Sequence, residues 1–66
     1  MNIVLNGTPT TLPSSLSISG LLAHLTMEAR RVAVEVNQEI VPRSQHDTHL
    51  LAEGDQVELV HAMGGG

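Results

Sequence analysis

Sixty-six residues hold one small domain, and a chain of that size buries only about 60% of the surface its unfolded form exposes. The 41% apolar residues include no Phe, Tyr or Trp, so the core is aliphatic and no ring is available to stack on a base; three Arg against seven acidic residues, formal charge −4, oppose tracking of a phosphate backbone. With no Cys, disulfides, thiolate metal sites and a Cys nucleophile are excluded together.

The chain opens with Met1, Ile3 and Leu5 alternating with Asn2, Val4 and Asn6, the period of a strand with one buried face. Asn6-Gly7 follows, the dipeptide that best satisfies the two positive φ angles of a type I′ hairpin turn. Thr8 to Leu12 returns as a second strand, and Pro9, which lacks a ladder donor, places it at a sheet edge. Ile18, Leu21, Leu22 and Leu25 then recur at i, i+3, i+4 and i+7, one apolar stripe of a helix. Ser17 is its N-cap, and Leu16 with Leu21 stands at hydrophobic-staple spacing. The helix is expected to fray beyond Thr26, and Glu28 to Arg31 forms a charged connector.

Val32, Val34 and Val36, alternating with Ala33, Glu35 and Asn37, make the clearest strand. Asn37-Gln38-Glu39 reads as a turn into a short strand, Ile40-Val41, stopped by Pro42. Arg43 to Thr48 is polar and irregular, Leu50 and Leu51 anchor that loop to the core, and Glu53-Gly54-Asp55 turns into a last strand, Gln56 to His61. This order favours an α+β domain over residues 1–66: a mixed sheet of four to five strands with the helix across one face, as in the β-grasp topology. The first and last strands then lie parallel in the centre, with Ile3, Leu5, Val57 and Leu59 inward. Val4 and Val60 face away from the helix, close together in a polar field. Residues 62–66 form a flexible glycine tail.

Side-chain catalysis is poorly supplied. The serines at 14, 15, 17 and 19 are accounted for by helix capping, and no Gly-x-Ser-x-Gly elbow exposes a nucleophile. His46 and His49 lack a third protein ligand for zinc and read as solvated loop residues, so no metal site is expected. No Asp or Glu pair has the spacing of a shared-proton couple.

The end of the chain stands apart. At a background of roughly 7% Gly, a specified run such as Gly64-Gly65-Gly66 arises about three times in ten thousand. Glycines lie extended in channels too narrow for other residues, and from Ala62 to Gly66 the reach is roughly 16–18 Å, enough to enter another protein's active site. A carboxylate is a poor electrophile, so acyl chemistry at Gly66 needs activation such as adenylation by ATP, followed by attack of a sulfur nucleophile. This chain has no thiol and no nucleotide motif, so partners must perform both steps. An idle terminus on a non-catalytic interaction module is the plain alternative.

Several stretches at characteristic distances from the terminal Gly65-Gly66 resemble the ThiS family of ubiquitin-like β-grasp sulfur carriers. They are Asn6-Gly7, Val34-Glu35-Val36-Asn37 running into Ile40-Val41-Pro42-Arg43, and Gly54-Asp55-Gln56-Val57-Glu58-Leu59. Many members have Ala before the final pair, where this chain has Gly64. The resemblance implies a protein cosubstrate of thiazole formation in thiamine biosynthesis, not an enzyme. Gly66 would be adenylated by a ThiF-like, E1-related adenylyltransferase using MgATP, with no cofactor held by this chain. It would then become a thiocarboxylate, with sulfur from a donor such as a cysteine desulfurase, and pass that sulfur to thiazole synthase, ThiG. By the same analogy Gly64 and Gly65 enter the partner's channel, while Val4, Val60 and Met63 contact its surface. The small subunit of molybdopterin synthase shares the fold and ending but is usually longer. A ubiquitin-like modifier would use the same carboxylate for an isopeptide bond. With neither a basic leader nor a long apolar run, a cytoplasmic location is expected.

Overall fold

In the computed structural model, which describes residues 1–27 and 31–61, the first hairpin is set by its two turn residues. β1 (Asn2–Leu5) and β2 (Thr8–Thr11) are joined by Asn6 and Gly7, with φ of 49° and 81°, the paired positive angles of the expected turn. A second hairpin repeats the device. β3 (Val32–Val36) returns as β4 (Glu39–Val41) through Asn37 and Gln38, at φ 52° and 71°. Pro42 ends β4, a 3₁₀ turn covers Arg43–Gln45, and β5 (Gln56–His61) completes the sheet.

The strand order is β2-β1-β5-β3-β4, with β2 at an edge as Pro9 requires. β1 and β5 run parallel, Val4 opposite Gln56 and Leu5 opposite Val57, and the other neighbours are antiparallel. Side-chain alternation therefore puts Ile3, Val57, Leu59 and the β3 valines on one face, where helix α1 (Ile18–His24) brings Ile18, Leu21 and Leu22 into the same buried cluster. Leu5 is half-buried against that cluster. Each fully buried aliphatic side chain contributes about 1.5–3 kcal/mol, so packing of these residues carries the fold.

The helix start shows how a short helix containing Gly20 is held. Ser17 Oγ accepts from Gly20 N–H at 3.0 Å, and Leu21 N–H donates to the Ser17 carbonyl. The two remaining early donors leave the helix: Ile18 N–H reaches the His49 carbonyl at 3.1 Å and Ser19 N–H that of His46 at 2.9 Å. The three N–H groups of the first turn are thus satisfied, two of them by the loop after β4. The helix ends at His24, earlier than its apolar stripe suggests, because Thr26 turns into the left-handed region at φ 56°. Thr26 N–H then bonds to Ala23 O and Met27 N–H to Leu22 O, the two bonds of a Schellman ending. Of the charged connector Glu28 to Arg31, residues 28–30 lie outside the described residues.

Two expectations for the loop are corrected. Leu51 is buried, but Leu50 is 66% exposed: successive residues of an extended segment point oppositely, and Leu51 N–H is tied to Leu16 O while Leu50 bridges Ser17. His46 is buried at 2% exposure, not solvated, because its backbone is drawn onto the helix start and its Nε2 lies 3.0 Å from the Val41 carbonyl. His46 Nδ1 is buried without a hydrogen-bond partner.

Candidate functional site

The sheet face opposite α1 is uncovered among the described residues, and the register fixes what it presents. Val60 on β5 stands opposite Ala33 on β3, Glu58 opposite Glu35, and Ile40 on β4 is next to Glu35. Val60 is 57% and Ile40 74% exposed, while Val4 on β1 is half-buried beside Pro9. Valine and isoleucine side chains on a solvated face are readily available to a partner, although scattered ones are ordinary. Glu35 and Glu58 are a like-charged pair directly across two strands, an arrangement that disfavours the isolated sheet.

Val4 and Val60 share this face as expected but are not neighbours. Val4 pairs with Gln56, and Val60 stands four positions further along β5, about 13 Å along the strand. The face therefore has three apolar spots, Val4 with Pro9, Val60 with Ala33, and Ile40 beside Glu35, and Gln56 and Glu58 lie between the first two along β5. Val60 is the spot nearer to the tail, since β5 ends at His61. Met63, Gly64, Gly65 and Gly66 lie outside the described residues.

Elsewhere the described residues offer little chemistry. A concavity of about 420 Å³ between the β3–β4 turn and the loop is bordered by Ile40, Leu50, His49 and Asp55. Of its two carboxylates, Glu39 and Asp55, the second is already engaged: Asp55 Oδ2 accepts from Ala52 N–H at 2.8 Å and Oδ1 from Asn37 Nδ2 at 3.1 Å. Ser19 Oγ donates to Asp47, which fastens the loop to the helix. His24 and His61 are exposed, and no three His, Cys, Asp or Glu side chains among the described residues gather as a metal site. One role escaped the sequence reading. Asn6, identified there as a turn residue, also places its side-chain amide against the backbone of Leu59.

Among the described residues, a five-stranded mixed sheet with a central parallel pair and one α-helix across one face, its last strand followed in sequence by terminal glycines, define a ubiquitin-like β-grasp protein. The family model described as the ThiS family matches residues 3–66, the terminal glycines included. The chain belongs to the ThiS family. It is 32% identical to the sulfur carrier protein ThiS of Escherichia coli (strain K12) over 66 residues, the whole of both chains. The crystal structure of the thiamine biosynthesis protein (ThiS) from Geobacter metallireducens is similar over the full length of both chains, with 39% identity and a TM-score of 0.86. The whole chain also matches, at 39% identity over 66 residues, part of a thiazole synthase of Paramagnetospirillum magneticum, of which it spans about a fifth (20%).

Proposed function

We propose that this chain carries sulfur on the carboxyl terminus of Gly66 for thiazole formation. The observation that carries the reading is the family match extending through the terminal glycines. The Gly66 carboxylate attacks the α-phosphorus of ATP, releasing pyrophosphate and leaving an acyl-adenylate. A sulfur nucleophile then adds to that carbonyl and AMP departs, so the terminal C–O bond to AMP is exchanged for C–S. A ThiF-like adenylyltransferase uses MgATP, and a cysteine desulfurase supplies the sulfur as a persulfide; the acyl disulfide so formed is cleaved by a thiol reductant, which leaves the thiocarboxylate on Gly66.

Thiazole synthase is the proposed acceptor. The alignment of the entire chain with a fifth of two thiazole synthases supports this, since a segment joined to an enzyme is held at high effective concentration beside it. Gly64 and Gly65 thread the partner's channel, where a Cβ would obstruct passage, and Val60, Val4 and Met63 contact the surface around its mouth. No described helix is long and apolar enough to cross a membrane, and we place these reactions in the cytoplasm. Deleting Gly66 tests the reading: pyrophosphate release with the adenylyltransferase is expected to stop while the hydrogen-exchange pattern of the sheet persists. Undiminished release by the shortened chain would contradict it.

A further inference from the structure

Asn6 has a second set of contacts that its turn does not require, and we infer that it is a positioning residue for the carrier terminus. Its amide holds β5 at Leu59, shortly before the strand gives way to the tail. The inference rests on the carrier reading above.

The register shows why a clamp is needed. β1 pairs with β5 only through Val4 opposite Gln56 and Leu5 opposite Val57, and its last backbone bond runs from Asn6 N–H to the Val57 carbonyl, 2.9 Å. Asn37 N–H donates to the Gln56 carbonyl at 2.7 Å, so the peptide groups of 56, 58 and 60 face β3. Those of 57, 59 and 61 therefore face the β1 side. There β1 has already turned away into its hairpin, and Leu59 would meet an empty edge. Asn6 fills that edge: its Oδ1 accepts from Leu59 N–H at 2.8 Å and its Nδ2 donates to the Leu59 carbonyl at 3.4 Å.

A primary amide offers the same donor and acceptor as a peptide group, so one side chain stands in for the next residue of a strand that has ended. Asn37 has a counterpart role at the start of β5. It too is left-handed, and its Oδ1 accepts from Gln56 N–H at 3.0 Å. The two asparagines brace β5 from opposite sides, and the one nearer the tail is Asn6.

The brace fixes two things the carrier needs. It keeps Val60 and His61 in register with Ala33 and Val32, and so sets the origin and direction of the tail relative to the exposed face. Were residues 59–61 to loosen, eight residues rather than five would separate Gly66 from the last paired position; for a flexible connection effective concentration, falling as the −3/2 power of length, would drop about twofold before any loss of Val60 contact.

Asn6→Gly separates the two roles, because glycine adopts the φ of 49° freely and keeps the turn while removing the amide. Gly7→Ala is the opposite control: it strains a residue at φ 81° and leaves the amide in place. Amide exchange of Leu59 and the rate of Gly66 adenylation by a purified ThiF-like enzyme with MgATP are read on both. For N6G we expect Leu59 exchange to accelerate about five- to tenfold relative to Ile3 and Val34, and kcat/KM to fall at least about twofold. Asn6→Asp, which retains an acceptor for Leu59 N–H, recovers Leu59 protection and most of the rate. Leu59 exchange unchanged in N6G, or a rate loss no larger than in G7A, overturns the positioning role while the carrier reading stands. Absence of adenylation in the unmodified chain overturns the carrier reading, and the positioning role with it.

Discussion

Replacing Thr26 by Gly is expected to stabilise this protein, although it removes a side chain. Thr26 occupies the left-handed position that ends α1, at φ 56°, and its branched Cβ crowds the following carbonyl there. That conformation costs an L-residue about 1–2 kcal/mol, and glycine almost nothing. Two losses oppose the gain. Glycine has more freedom in the unfolded chain, about 0.4–1 kcal/mol, and the exposed Thr26 hydroxyl gives up its 2.6 Å bond to the Leu25 carbonyl, which water replaces. The balance is a net stabilisation of about 0.5–1 kcal/mol, equivalent to a rise in Tm of about 2–8 °C for a domain this small. Thermal and urea unfolding by circular dichroism measure it, with the urea slope unchanged. A Tm equal to or below that of the unmodified protein would refute the assignment of strain to this residue, and Thr26→Ala, which keeps a Cβ, is expected to gain less than T26G.

Three further outcomes follow from the same contacts. A double-mutant cycle of Glu35→Gln and Glu58→Gln should return a repulsive coupling of about 0.2–1 kcal/mol at low salt that shrinks as salt is raised; zero coupling would show that the carboxylates diverge in solution. Ser17→Ala removes the acceptor of Gly20 N–H and should cost about 1 kcal/mol in urea unfolding, whereas loss below a few tenths would mean that the loop carbonyls alone hold the helix start. Val60→Asp leaves the core untouched and should keep Tm within a few degrees, yet weaken binding to thiazole synthase by roughly tenfold or more in titration calorimetry; unchanged affinity would remove the exposed face from the docking account.

The elements most legible in the sequence are those governed by local chemistry. Asn6-Gly7 specifies its turn because two adjacent positive φ angles leave few alternatives, and the Val32-Val34-Val36 alternation assigns a buried face without any tertiary knowledge. Ser17 likewise acts within three residues of itself. The loop was less legible because its conformation is set by distant backbone groups: the carbonyls of His46 and His49 serve the helix start, and nothing in the polar run around His46 signals that burial. For the candidate site, the glycine end and the parity of Val4 and Val60 are visible in the chain. The separation of those two valines depends on the β1/β5 register, and the Asn6 clamp joins positions 53 residues apart. Neither is encoded in a local pattern.

Sulfur carriage by this chain requires sulfur to reside on its last residue. Its most direct test is intact-mass and C-terminal peptide spectrometry of the full-length protein after incubation with MgATP, a ThiF-like adenylyltransferase, a cysteine desulfurase and cysteine. We predict one oxygen exchanged for sulfur, located at Gly66 and absent when ATP is omitted. An unaltered mass with demonstrably active partners, or a mass equal to this chain joined to another protein through an amide, would contradict it.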